Sequence, residues 1–282
     1  MNYEKLIQHQ IPEVRQTYGP RDAVLYALSV CGGFWAQSDQ GLDTLIDARG
    51  PMVLPSFVVD LGQPGFWLGN PVTTVDATRI LHAEESFQLL APLSPAGLVV
   101  GKTRIVDVVD KGSEKGALLY LRKDVVDLNS GQLLAHINRT LMLRGDGGYD
   151  GPSGQSRTTP GFPETSPDYV ITVPTNADQA FLYRLNGDSN PLHVELAKAR
   201  AAGFARPILH GLCTFGIAST AAFHVLAAGD ATRFRGFRAR FSAPVYPGEN
   251  LRIELWKTGA VRVLAVERSI VVLSHGHADI EP

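Results

Sequence analysis

The stretch Gly211-Leu-Cys-Thr-Phe-Gly-Ile-Ala-Ser-Thr-Ala-Ala222 is small and apolar on nearly every side. A helix that has no polar face is a buried helix, so we predict a central helix over residues 210–227. Three β-like runs follow it along the chain, at residues 235–245, 251–258 and 261–274. This order predicts an apolar helix wrapped by a curved antiparallel sheet.

The first half of the chain repeats these ingredients in weaker form. Asp22 would favour the dipole at the start of a helix over residues 21–31, and Gly32-Gly33 would end it. Four β-like runs follow, at residues 88–90, 99–109, 117–127 and 133–143. The predicted fold class is therefore α+β, with two related modules of which the first is degenerate.

A segment rich in Gly, Pro, Ser and Thr, residues 144–163, separates two halves of similar length. Such a composition is typical of a linker or a long surface connection. We therefore expect an N-terminal module at residues 1–148, a linker at 149–166 and a C-terminal module at 167–282.

The bulk composition excludes several classes of protein. The 282 residues carry a formal net charge of only -2, so no global field draws the chain to nucleic acid or to an anionic membrane. The longest apolar stretch, residues 23–35, is interrupted and shorter than the roughly 20 residues that span a bilayer. Cys31 and Cys213 are expected to be buried, reduced thiols. Without a recognisable signal peptide, a cytoplasmic location is expected.

A second stretch, Tyr183-Arg-Leu-Asn-Gly-Asp-Ser-Asn-Pro-Leu-His193, is predicted to end a strand and to open a helix over residues 191–202. Asp188 and His193 stand five positions apart across this turn. A carboxylate and an imidazole can hold one water molecule from two sides and activate it by acid–base catalysis. The pattern favours a hydratase or a hydrolase.

The same residues allow simpler interpretations. Asp188 could cap the helix that begins at Pro191, and His193 could be an ordinary residue of a helix surface. Asn190 lies between them and could orient either partner or the substrate. Gly187 lets the chain turn tightly and brings the backbone close to a ligand.

The segment Arg206-Pro-Ile-Leu-His-Gly-Leu212 leads into the central helix. Gly211 stands where backbone N–H groups have no partner inside the helix and point outward. An oxyanion placed there would accept a hydrogen bond and meet the positive end of the helix dipole. The alternative is that Gly211 only permits tight packing of the helix on the sheet.

These motifs together resemble the MaoC-like hydratases, and specifically the two-domain, R-specific enoyl-CoA hydratase 2 family. The Tyr183–His193 stretch is similar to the family signature, and Arg206–Leu212 to its segment at the head of the hot-dog helix. Segments spread over most of the chain add to the resemblance: Tyr18-Gly-Pro-Arg-Asp22, Ile80-Leu-His-Ala-Glu84, Asp110-Lys-Gly112, Arg144-Gly-Asp-Gly-Gly148 and Arg240-Phe-Ser-Ala-Pro-Val-Tyr-Pro-Gly-Glu249. The sequence departs from the family pattern around His82–Ser86, where Gly and Gln are common, and at Tyr149, where Phe is common.

The resemblance implies a double hot-dog fold. A complete C-terminal module would carry catalysis, and an N-terminal module with an incomplete central helix would make room for the acyl chain. Asp188 and His193 match the catalytic pair, Asn190 a supporting polar residue and Gly211 the amide that binds the oxyanion. His210 and Gly187 are expected to contact the substrate.

The implied reaction is reversible hydration of trans-2-enoyl-CoA to (3R)-3-hydroxyacyl-CoA. The partner would be the acyl-CoA thioester, with no cofactor and no metal, and the chain would form a homodimer. Alternatives are a dehydratase of acyl-carrier-protein thioesters or of a short dicarboxylic acyl-CoA, a hot-dog thioesterase, and an acyl-CoA-binding module without catalysis. The thioesterase is disfavoured because residues 211–227 contain no Asp or Glu.

Overall fold

The computed structural model describes residues 1–149, 151–152 and 163–281. Most of the predicted linker at residues 149–166 therefore lies outside the described residues, and the division into modules stays a prediction. The helices are α1 Tyr3–Ile7, α2 Pro20–Ser29, α3 Asp39–Asp43, α4 Gln179–Tyr183, α5 Leu196–Ala201 and α6 Gly211–Leu226. The strands are β1 Val14–Tyr18, β2 Ile80–Leu89, β3 Gly97–Asp110, β4 Ala117–Asp127, β5 Leu133–Leu143, β6 Tyr169–Pro174, β7 Phe234–Phe241, β8 Asn250–Leu255, β9 Ala260–Ala265 and β10 Ile270–Ile280.

The strands of the described ranges form one antiparallel sheet in the order β1-β3-β4-β5-β2-β7-β10-β9-β8-β6. The first five positions come from the first half of the chain and the last five from the second. The two halves meet where β2 pairs with β7, from Glu84 opposite Arg240 to Gln88 opposite Gly236. The Arg240 guanidinium also binds the Glu84 carboxylate, at 2.6 Å. The sheet thus runs without a break across both halves.

The predicted central helix is confirmed as α6. Every residue from Leu212 to Phe223 is buried, as an all-round apolar helix requires. α6 packs against β7, β8, β9 and β10, so the second half of the sheet wraps around it. On its other side α2 comes very close, because a Cβ added at Gly216 would lie 2.5 Å from the Val30 Cγ1 atom.

The first half has the same plan with a shorter helix. α2 ends at Ser29, and residues 30–79 that follow it form short 3-10 turns and the small helix α3. One of these turns, Pro55–Val59, is fully buried and packs against α6. Each half therefore combines antiparallel strands with a helix, and the first half is degenerate, which confirms the expected double hot-dog of the α+β class.

Three local predictions were wrong or incomplete. The strand predicted before Asn186 is helix α4, because Gln179, Ala180 and Tyr183 are buried at helical spacing. The helix predicted over residues 191–202 is a 3-10 turn, Pro191–His193, followed by the short α5. The single run predicted over 261–274 is the β9–β10 hairpin, which turns at a polar segment ending in Ser269, whose φ is 51°.

The cysteine prediction is confirmed, since Cys31 and Cys213 are free and buried. Within the described ranges, no helix is long and apolar enough to cross a membrane.

Candidate active site

The loop that carries Asp188 is shaped by the residues on either side of it. Gly187 has a φ of 117°, a backbone conformation that favours glycine. The Asp188 carboxylate accepts a hydrogen bond from the Asn190 N–H at 3.2 Å, and the Asn190 Oδ1 atom accepts one from the Leu192 N–H at 3.1 Å. Asn190 is therefore the cap of the Pro191–His193 turn. Because Asn190 supplies the cap, Asp188 is not needed for it, and its half-buried carboxylate is free to face a ligand.

His193 is fixed in one tautomer. Its Nδ1–H group donates to the Ile208 carbonyl oxygen at 2.8 Å, and a carbonyl can only accept. The lone pair therefore lies on Nε2. The side chain is 8% exposed, so it is not the surface residue of the simpler interpretation. Burial lowers the pKa of His193, although the Ile208 hydrogen bond and the Asp188 charge oppose this shift. The ring is consequently a neutral base at pH 7.

His210 links the start of α6 to the Asp188 loop. Its Nε2–H group donates to the backbone oxygen of Asp188 at 3.2 Å, and its ring centroid lies 3.8 Å from that of His193. Burial and the nearby His193 lower its pKa to about 3, so it stays neutral. The Nδ1 atom of this buried ring has no hydrogen-bond partner among the described residues.

The fold brings the predicted residues together. One carboxylate or ring-nitrogen atom from each of Asp188, His193 and His210 lies within 4.8 Å of the other two. That spacing suits a single water molecule held between an acid and a base. The same set, one carboxylate and two neutral imidazoles, could also hold a divalent metal ion. The expectation that the protein uses no metal stays a prediction.

Gly211 is the first residue of α6, so its N–H group has no acceptor within the helix. A Cβ added there would lie 3.1 Å from the Cε1 atom of Phe241. Glycine therefore leaves the amide approachable beside a closely packed ring. The close packing and the oxyanion interpretation both fit this geometry.

Sequence reasoning missed a contribution from the first half of the chain. The Tyr183 hydroxyl donates to the Asp60 carboxylate at 2.9 Å, and the Tyr183 ring lies 5.1 Å from the ring of His210. Burial raises the pKa of Asp60 to about 7, although the Tyr183 hydrogen bond and Lys123 lower it. The available signal was a lone acid in the apolar run Phe57-Val-Val-Asp-Leu61.

Comparison with known proteins identifies the family. Residues 158–276 match the MaoC like domain, and residues 16–145 match the MFE-2 hydratase 2 N-terminal domain. The chain is 40% identical to 3-hydroxyacyl-thioester dehydratase Y of Mycobacterium tuberculosis, over 91% of this chain and 87% of that protein. It is 36% identical to the peroxisomal enoyl-CoA hydratase 2 of Arabidopsis thaliana, over 99% of this chain and 95% of that one.

A solved structure supports the same assignment. The MaoC-like dehydratase of Phytophthora capsici superposes with a TM-score of 0.84 at 31% identity, covering 100% of this chain and 99% of that chain. The chain therefore belongs to the MaoC-like dehydratases, in the two-part form of the enoyl-CoA hydratase 2 enzymes, and it is a hydro-lyase.

Proposed function

We propose that this protein catalyses the reversible syn addition of water to a trans-2-enoyl-CoA, giving a (3R)-3-hydroxyacyl-CoA. The observation that carries this proposal is the convergence of the Asp188 carboxylate with a ring nitrogen of His193, within 4.8 Å. The Gly211 amide at the head of α6 supplies the third element. Relatives named as enoyl-CoA hydratases and as a hydroxyacyl-thioester dehydratase support the two directions of this reaction.

Conjugation to the thioester makes C3 of the substrate electrophilic. Water held between Asp188 and His193 attacks C3 and gives its proton to the Nε2 atom of His193. The electron pair of the double bond moves to the thioester oxygen as an enolate, which accepts a hydrogen bond from the Gly211 N–H. Losing one such donor typically raises the barrier by about 2.7–4 kcal/mol.

The enolate then collapses and takes the proton back from His193 at C2. Because one group removes and returns the proton, both additions occur on the same face. Asp188 orients the water and stabilises the imidazolium, since its charge already acts to raise the pKa of His193. Asn190 supports this arrangement by holding the loop, and His210 does so through the Asp188 carbonyl.

This chemistry requires neither a cofactor nor a metal, because CoA belongs to the substrate. We extend the proposal to Gly187 as a close backbone contact for the substrate, and to a homodimer in the cytoplasm. Hydrolysis by the thioesterase route has no support, since α6 offers no carboxylate.

The test uses crotonyl-CoA, a short trans-2-enoyl-CoA. Loss of the conjugated chromophore is followed in parallel with release of free thiol, and the product is resolved on a chiral column. Hydration removes the chromophore without thiol and gives the 3R alcohol. Release of thiol, or a 3S product, would overturn the proposal.

A further inference from the structure

The inner face of the first-half sheet carries charged side chains where apolar ones are expected. Along β4, Lys123 falls in phase with the buried Leu121 and Val125, and along β5 Arg139 falls in phase with the buried Ile137. Glu85 on β2 pairs with Arg139 across the sheet. We call the following set the inner polar row: Asp60, His82, Glu85, Lys123 and Arg139.

The inner polar row consists of a group of three, Glu85, Arg139 and His82, and a group of two, Lys123 and Asp60. The Nε and Nη2 groups of Arg139 donate to the Glu85 carboxylate at 2.9 and 3.0 Å, and the His82 Nε2 atom lies 2.9 Å from it. Burial opposes ionisation of Glu85, but Arg139 and His82 outweigh it and lower its pKa to about 2. The Nζ group of Lys123 donates to two carbonyls on either side of Asp60, those of Val59 and Leu61, at 2.8 and 2.6 Å.

The inner polar row is partly exposed at two of its members. Burial opposes the charged forms of His82 and Arg139. Each nevertheless keeps 23% of its side-chain surface exposed, while the Glu85 side chain between them keeps none. The neighbouring core residues Phe87 and Ile137 are only 2% exposed. The Arg139 side chain is therefore within reach of solvent.

Two members of the inner polar row, Asp60 and His82, contact residues that pack beside the candidate active site. At one end, Asp60 accepts the hydrogen bond of Tyr183, whose ring packs on His210. At the other, the His82 ring lies 4.6 Å from the ring of Phe241, which contacts the space beside Gly211. The Asp188 charge raises the pKa of both Asp60 and Arg139. The row therefore adjoins the Asp188–His193 pair through Tyr183 on one side and through Phe241 on the other.

An acyl chain that extends from the Asp188–His193 pair toward the inner polar row would meet hydrogen-bonding groups. An all-carbon chain would remove water from the partly exposed Arg139 and replace no hydrogen bond, which is unfavourable. A carboxylate at the chain end would also be disfavoured. The positive charge of Arg139 is balanced by the Glu85 carboxylate. Lys123 and Asp60 have no net charge together, whichever of the two holds the proton. The Asp188 carboxylate therefore leaves the region net negative. An uncharged oxygen has neither problem.

We propose that the inner polar row selects an acyl chain bearing an uncharged oxygen, a hydroxyl or a carbonyl, beyond the reacting double bond. The Nη1 group of Arg139, whose one hydrogen bond among the described residues is to the Gln63 Oε1 atom at 3.5 Å, donates to that oxygen. This inference rests on the proposed hydratase function. Arg139 then acts as a specificity-determining residue and takes no part in the proton transfers.

Substrates of matched size test it in the unmodified protein. (E)-6-hydroxyhex-2-enoyl-CoA and (E)-hept-2-enoyl-CoA differ only in a terminal hydroxyl in place of a methyl group. We expect kcat/KM for the hydroxylated substrate to be larger by roughly tenfold or more, and the mono-CoA thioester of (E)-hex-2-enedioic acid to fall below it. Equal or better turnover of heptenoyl-CoA, or preference for the diacid, overturns the inference.

A charge-neutral double variant locates the effect. In Glu85→Gln/Arg139→Met the ratio of the two kcat/KM values should fall to near one, whereas a purely structural row would leave it unchanged. The matched control is Asp124→Asn/Arg122→Met, a partly exposed ion pair on β4, which should keep the ratio. If the first variant does not fold, the substrate ratio of the unmodified protein decides. Hydration of crotonyl-CoA, measured alongside, separates failure of this inference from failure of the proposed function.

Discussion

Replacing Asp188 by asparagine separates the chemistry of this residue from its role in the loop. The carboxylate accepts one backbone hydrogen bond, from Asn190 at 3.2 Å. An asparagine oxygen at the same position can accept it too, so the loop keeps its shape. What the variant loses is the negative charge beside the His193 ring. We therefore expect turnover of crotonyl-CoA to fall by about 10²–10⁴-fold, the scale of acid–base assistance.

The expected effect of Asp188→Asn on the activation barrier is much larger than its expected effect on the free energy of unfolding. A loss of that size raises the barrier by roughly 2.7–5.5 kcal/mol. The free energy of unfolding should change by less than about 0.5 kcal/mol, as for a surface substitution that keeps its hydrogen bond. The matched control is Asn190→Ala, which removes the cap on Leu192 and should destabilise the protein by about 1 kcal/mol.

The assay pairs steady-state hydration with thermal unfolding of both variants. A loss of about 1 kcal/mol should lower the Tm of Asn190→Ala by roughly 2–4 °C, while Asp188→Asn melts with the unmodified protein. The reasoning is refuted if Asp188→Asn retains turnover within a factor of a few. The reasoning is also refuted if Asp188→Asn lowers the Tm as well as the turnover, and if a refolded sample of the variant regains its turnover.

Three further outcomes follow from the structure. Gly216→Ala should lower stability by about 1–3 kcal/mol through overpacking, since its Cβ would lie 2.5 Å from Val30, whereas Gly33→Ala meets no atom within 4 Å and should melt normally. Burial lowers the pKa of His224 to about 4 from 6.5. The neutral ring therefore contributes stability above pH 6.5 that is lost as the pH falls toward 4. His224→Gln should make the fall in Tm between pH 7 and 4.5 less steep, and an unchanged slope would contradict this. Prolonged dialysis against EDTA should leave hydration of crotonyl-CoA unaltered, and activity that disappears and returns with added Zn²⁺ would place a metal among the carboxylate and the two imidazoles.

Local pattern in the sequence predicted much of the fold. α6 has no polar face, so its burial follows from composition alone, and β4 and β5 were predicted with their observed bounds because Gly and Asp punctuate them. The segment before Asn186 was predicted as a strand, but it forms the helix α4. Its helical spacing becomes visible only when Gln179 is seen to be buried, with its amide donating to the Ser29 carbonyl.

The candidate site was predictable in its residue types but not in its surroundings. Asp188 and His193 are close in sequence, so a single turn places them together. Asp60 and Arg139 lie far away along the chain, and their approach depends on how β2 and β5 pair and on the path of residues 30–79. Lys123 alternates with Leu121 and Val125 along β4, a pattern that could have signalled a charge on an apolar face. It could not show which groups would surround that charge.

The seam between β2 and β7 limits how enzymes of this type can be recombined. A chimera that takes residues before the seam from one relative and the remainder from another must match five facing backbone positions and the Glu84–Arg240 contact. It must also match one contiguous apolar cluster that draws side chains from both halves, Tyr26 and Phe57 from the first and Phe215 and Phe237 from the second. Grafting a new acyl preference is therefore better done by exchanging side chains on the inner face of the first sheet than by swapping the half that carries them.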